Sequence, residues 1–141
     1  MKTEYLTPHL FLYGSLLTGT PDRRLNKQMR RLLHRAPVAM IQARLYNLGR
    51  YPGVVPTIIA TENVYGRVIT LNNPLLLRRL DRYEEAVGAK CEFVRTMQVA
   101  RLLPSRKHIN CWVYLYNRPI EGKQRIISCD YVRFIRARRK W

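Results

Sequence analysis

The chain has 141 residues, a length that suits one domain with its own core and is short for two. Hydrophobic residues make up 47% and charged residues 25%, a globular balance that excludes wholesale disorder, and no apolar run approaches the roughly 18 residues of a bilayer-crossing helix. Lys and Arg number 26 against 9 Asp and Glu, giving a formal net charge of +17, a field that attracts polyanions but names no reaction.

Met1 is expected to begin the mature chain, because one lysine, Glu4 and a short apolar stretch without a small-x-small site do not make a signal peptide. Leu10-Phe11-Leu12-Tyr13 reads as a buried strand that Gly14-Ser15 interrupts. Glycine tolerates positive φ and close backbone approach, so a strand ending there turns its next amides towards one point, a cradle for a carboxylate or an oxyanion. A plain tight turn is the alternative.

Thr20-Pro21-Asp22 combines a capping residue, a proline at the first helical position and an acid in the first turn, which starts a helix running to about His34. Leu25, Met29, Leu32 and Leu33 share one of its faces, and Arg23, Arg24, Lys27, Arg30, Arg31 and Arg35 share the other. Pro37 to Leu48, Val54 to Ala60 and Val64 to Leu71 read as strands, the last two separated by a turn at Thr61-Glu62-Asn63. A second helix starts at Asn73-Pro74, carries Leu76, Leu77, Leu80 and Tyr83 towards the core, and ends before Gly88. Phe93 to Leu103 and Ile109 to Tyr116 are strand-like, and the segment from Ser128 mixes Tyr131, Phe134 and Ile135 with arginines. Strands dominate with helices between some of them. The expectation is an α+β fold of one domain over residues 1–141, a small mixed-sheet β-barrel with a few flanking helices.

Cys91, Cys111 and Cys129 are widely spaced and odd in number, so neither a disulfide framework nor a zinc site is expected, and a reducing cytoplasm fits. His9, His34 and His108 are isolated and read as ordinary residues.

Four motifs occur in order: Tyr13-Gly14-Ser15-Leu16, then Leu45-Tyr46-Asn47-Leu48-Gly49-Arg50-Tyr51-Pro52-Gly53, then Val64-Tyr65-Gly66, then Leu80-Asp81-Arg82-Tyr83-Glu84. Together they resemble the gamma-glutamylcyclotransferase-like family. Phe93-Val94-Arg95, Trp112 to Tyr116 and Ile127 to Tyr131 are similar to its C-terminal elements, so the resemblance covers nearly the whole chain. It implies a cofactor-free, metal-free cyclisation in which the α-amine of a γ-glutamyl group attacks its own side-chain carbonyl, giving 5-oxoproline and releasing the attached amine or amino acid. One carboxylate then serves as base and acid, and Glu84 aligns with the family's catalytic glutamate. The Gly14-Ser15-Leu16 backbone would hold the oxyanion. In the same resemblance Tyr13, Ser15 and Tyr116 line the substrate pocket, with core packing as the alternative for Tyr13 and sheet packing for Tyr116. Tyr51-Pro52-Gly53 reads as a turn beside the site, and Asp81 as a holder of local structure. For Glu84 the alternative is an acid paired with Arg82 or Arg95, and Glu85 points elsewhere, about 100° further round the helix.

Three departures stand out: Phe93 where a tyrosine is expected, Cys129 where a glycine is usual, and a stretch from Pro104 to Asn110 that does not align. The rival class is a non-catalytic protein of the same fold that binds nucleic acid or another polyanion weakly through the Arg23-to-Arg35 face and the C-terminal Arg and Lys residues, with Trp141 or Tyr131 stacking on bases. No zinc-finger, RRM or KH signature accompanies it. The positive field would also draw the α-carboxylate of a γ-glutamyl substrate.

Overall fold

Alternation of apolar and polar side chains does most of the folding here. In the computed structural model, which describes residues 8–84 and 92–139, it produces β1 (His9–Leu12), a short α1 (Ser15–Thr18), α2 (Arg23–Leu33), β2 (Val38–Asn47), β3 (Pro52–Pro56) and β4 (Asn63–Thr70). Then follow α3 (Pro74–Tyr83), β5 (Phe93–Leu102), β6 (His108–Tyr116), β7 (Gln124–Arg125) and α4 (Tyr131–Arg138). Strands β2, β4, β1, β6 and β5 pair in that order and β5 pairs back onto β2, so five strands close a barrel. The sheet is mixed: β1 and β6 run parallel, Leu10 opposite Trp112, and the other pairs are antiparallel. Strands β3 and β7 add to the far half of β2. This is the small mixed-sheet barrel with flanking helices that the sequence implies.

Side chains of odd and even positions go to two different cores. Phe11, Tyr13, Ala39, Ala43 and Val113 fill the barrel, while Leu10, Leu12 and Tyr114 point out to the helices, where Leu25, Met29, Leu76, Leu77 and Leu80 cover them. Gly66 is required by space inside the barrel, since a Cβ there would stand 2.2 Å from the Leu12 carbonyl oxygen and 2.7 Å from Phe11 Cζ.

The helix starts are capped by polar side chains, though α2 begins two residues later than expected: Pro21 lies before the helix, and Asp22, expected in the first turn, is itself the cap in place of Thr20. Asp22 accepts the Leu25 N–H at 3.0 Å, Asn73 accepts the Leu75 N–H at 2.9 Å with Pro74 following, and Asp130 accepts the Arg133 N–H at 3.1 Å. The last of these makes a helix of the C-terminal segment, with Phe134 and Ile135 packed on the barrel core. α3 closes at Tyr83, where the Glu84 N–H bonds the Leu80 carbonyl at 2.9 Å; Gly88, Glu85 and Cys91 lie outside the described residues.

β3 differs from its expected span. It starts at Pro52 and stops at Pro56, so the predicted strand to Ala60 ends early. Beyond Pro56 the chain turns back on its own polar groups: the Thr57 hydroxyl donates to Glu62 at 2.6 Å and accepts the Ile59 N–H at 3.2 Å, leaving Ile58 exposed.

Candidate active site

β1 ends at Leu12, and the next residue, Tyr13, lies in the barrel core, its buried hydroxyl donating to the Tyr114 carbonyl of β6 at 2.7 Å. The next residue, Gly14, has φ −131°, so a positive φ is absent there. Space is the reason for the glycine instead: a Cβ at Gly14 would lie 2.7 Å from Pro52 Cγ. From there the chain coils into α1, and the Leu17 N–H bonds the Gly14 carbonyl at 2.8 Å. The amides of Ser15 and Leu16 come before it, at the start of the turn, where no intrahelical carbonyl can reach them.

A small inner pocket of about 20 Å³ forms over this turn, lined by Tyr13, Gly14, Ser15, Leu16, Tyr51, Pro52, Glu84 and Tyr114. Ser15, Tyr51 and Glu84 also line an outer groove, with Arg50, Tyr83, Glu92 and Phe93. Glu84 stands between the two spaces, at the C-terminal end of α3.

Burial, then the Glu92 carboxylate, push the Glu84 carboxyl from an ordinary 4.5 up to about 7. Among the described residues no ion pair forms to it, and Arg95 instead clamps Asp81, with Nε at 2.8 Å and Nη2 at 3.0 Å. Burial raises the Tyr13 hydroxyl well above the usual tyrosine value, and the charge of Glu84 adds to that. The Ser15 Oγ lies 2.9 Å from the Tyr83 hydroxyl, and the Tyr51 hydroxyl donates to Glu92. A carboxyl titrating near 7 therefore shares a pocket with the first turn of α1 and three tyrosines. Such a set can take and return one proton and stabilise one developing oxyanion.

Of the residues singled out in the sequence, the pocket brings together Tyr13, Gly14, Ser15, Leu16 and Glu84. Tyr116 is elsewhere: it meets the Phe93 ring edge-on at 5.7 Å and packs on Gly53. The tyrosine of β6 that lines the pocket is Tyr114, two residues earlier on the same strand face. Tyr51 and Pro52, expected only as a turn beside the site, line it directly. Tyr83, which the sequence names only within the Leu80-to-Glu84 motif and as a core residue, and Glu92, which it does not single out, line the outer groove. Phe93, standing where a tyrosine is expected, lies in the outer groove against the Tyr51 ring at 5.8 Å.

The cationic face of α2 is exposed, and none of its Arg or Lys residues lines pocket or groove. Tyr131, expected to stack on bases, is instead buried at 5% exposure in the barrel core, because α4 lays it there beside Phe134; Lys140 and Trp141 lie outside the described residues. Among the described residues no helix is long and apolar enough to cross a membrane, and no group of three or more His, Cys, Asp or Glu could hold a metal ion.

Known proteins resemble this chain in sequence and fold. Residues 10–133 match the family model described as "Gamma-glutamyl cyclotransferase, AIG2-like". A gamma-glutamylcyclotransferase family protein, ytfP, of Citrobacter rodentium is 30% identical over 125 residues, covering 87% of this chain and 94% of its own, and its Escherichia coli K12 counterpart is 29% identical over 127 residues, covering 87% and 95%. Among solved structures, the Escherichia coli ytfP protein superposes with a TM-score of 0.58 at 27% identity, covering 88% of this chain and 96% of that one. An AIG2-like protein of Mus musculus gives 0.56 at 19% identity, covering 79% and 80%, a likeness of fold. YkqA of Bacillus subtilis gives 0.65 at 17% identity over 95% of this chain, which spans only 43% of that protein.

Proposed function

This chain belongs to the gamma-glutamyl cyclotransferase, AIG2-like family, and from that premise we propose that it cyclises a γ-glutamyl amine or γ-glutamyl amino acid to 5-oxoproline, with Glu84 as the proton carrier. The observation that carries this reading is the Glu84 carboxyl, raised to about 7, facing the same pocket as the Tyr13-to-Leu16 turn.

The chemistry follows from those two parts. An α-ammonium titrates near about 8, so a carboxylate near 7 removes its proton at a cost of only about 1.4 kcal/mol. The freed amine attacks the γ-carbonyl carbon of its own molecule, forming the ring C–N bond. Negative charge moves onto the carbonyl oxygen, towards the Ser15 and Leu16 amides. As the tetrahedral centre collapses, protonated Glu84 gives its proton to the leaving nitrogen while the original C–N bond breaks, then takes the second proton from the ring nitrogen to leave the neutral lactam and passes it to the released amine, which departs as an ammonium. Nucleophile and electrophile are already joined, so the protein's task is to hold the folded-back conformer, for which Tyr13, Tyr51 and Tyr114 form the walls. The reaction so written uses no cofactor.

The test is 5-oxoproline release from a panel of γ-glutamyl amino acids, γ-glutamyl amines and γ-glutamyl-lysine isopeptide. Wild type is expected to release it from at least one member and Glu84→Gln from none; equal rates in both would refute the assignment. The exposed arginines of α2 favour a second, separable reading, polyanion binding without chemistry.

A further inference from the structure

Asp81 is the buried charged side chain among the described residues, at 6% exposure. A carboxylate so placed needs excellent partners. It finds them by inserting between two residues that face each other across β5 and β6, Arg95 and Tyr114. Arg95 holds it through Nε at 2.8 Å and Nη2 at 3.0 Å, and the Tyr114 hydroxyl donates to the same Oδ1 at 2.8 Å. The guanidinium is itself fixed 4.5 Å over the Trp112 ring. The backbone carbonyl of Tyr114 in turn accepts the Tyr13 hydroxyl at 2.7 Å.

Arg95, Asp81 and the Tyr114 hydroxyl thus form one hydrogen-bonded cluster, the backbone carbonyl of the same tyrosine holds Tyr13, and both tyrosines line the pocket. Asp81 also precedes Glu84 by three residues, which puts the two on one face of the helix end, a turn apart. We propose that Asp81 is a positioning residue for the cyclisation: its clamp on Arg95 and Tyr114 fixes the end of α3 that carries Glu84 at a set distance from the Tyr13-to-Leu16 turn. Asp81 touches no reacting atom. It acts through Tyr114 and through the last helical turn. The inference rests on the cyclisation reading above.

Steady-state kinetics of 5-oxoproline release, with urea unfolding alongside, test it in Asp81→Asn, Tyr114→Phe and the double variant. Displacement of a reacting group by about 1 Å costs about a hundredfold in rate, so kcat is expected to fall about 10- to 100-fold in Asp81→Asn and less in Tyr114→Phe, with KM within about threefold. Both substitutions break the same cluster, so the double variant should be no slower than Asp81→Asn alone. Where Asp81→Asn does not fold, Tyr114→Phe decides, since it removes one oxygen and leaves the carbonyl that holds Tyr13. Single variants with wild-type kcat and lowered stability would reduce Asp81 to a structural residue and overturn the proposal, as would losses confined to KM. A silent wild type would refute the cyclisation reading and this inference with it, an outcome distinct from an active wild type matched by its variants.

Discussion

Replacing Glu84 with Gln should stabilise the fold in alkaline solution and do much less in acid. The carboxyl, ordinarily near 4.5, sits near 7 because burial and the neighbouring Glu92 carboxylate disfavour its charge. Between those values the native state keeps a proton that the unfolded chain has lost, so wild-type stability falls as pH rises through that window and levels off above it. Each pH unit of separation is worth about 1.4 kcal/mol; since one side of the carboxyl opens to the groove, the drop between about pH 5 and about pH 8 comes to about 2 kcal/mol. Gln has no charge to desolvate at either pH. Urea unfolding of both proteins at the two pH values measures the effect, and taking the difference between them cancels the other titrating groups. The variant should gain about 2 kcal/mol on wild type from acid to alkali. A difference that is the same at both values would mean that Glu84 titrates as an exposed acid, and the mechanism would lose its base. The same ionisation sets the acid limb of kcat/KM, which should rise with pH through about 7.

Two other substitutions probe the surroundings. Gly14→Ala forces a methyl to within 2.7 Å of Pro52 Cγ, and overpacking of that kind is expected to cost about 1–3 kcal/mol in urea unfolding and most of the turnover; an unchanged protein would show that the two segments part freely. Changing Arg23, Arg24 and Arg31 together to Gln should lower the salt at which the protein leaves a heparin column while 5-oxoproline release stays within about twofold, and unaltered retention would remove the polyanion reading.

The local signals in this sequence were strong and the non-local ones weak. Asn73-Pro74 and the alternation of Leu10, Phe11, Leu12 and Tyr13 each state their structure within a few residues and form where expected, while Thr20-Pro21-Asp22 announces a helix whose start lies two residues later, because Asp22 and not Thr20 is its cap. The two poles of the site, Tyr13 to Leu16 and Glu84, are contiguous motifs and legible for the same reason. The walls are not contiguous. Tyr114 and Tyr116 share parity, so alternation puts both on the outer face of β6 and cannot say which stands level with the pocket. That height depends on β1 running parallel to β6 with Leu10 opposite Trp112, and on Arg95 facing Tyr114, registers set by strands far apart in the chain. Tyr51 and Pro52 were missed because β3 begins two residues before its branched run, where Pro52 has to pack on Gly14.

Net charge also misleads about the pocket. A chain with 26 Lys and Arg against 9 acids invites the expectation that every carboxyl is held low. Glu62 obeys it, brought to about 2 mainly by its hydrogen bonds to Arg44 and Thr57. Glu84 does the reverse, because exposed cations more than about 10 Å away are screened by salt while desolvation and a nearby carboxylate act at contact range. The sign of the site is thus set by Glu84, Glu92 and Arg50 along the groove, and the field of the whole molecule can steer a substrate carboxylate inward without deciding which leaving group fits beyond it. A protein this basic can keep the Glu84 carboxyl titrating near 7 in part because Asp81 occupies Arg95, one of the two cations, with Arg82, that the sequence offers as partners for Glu84.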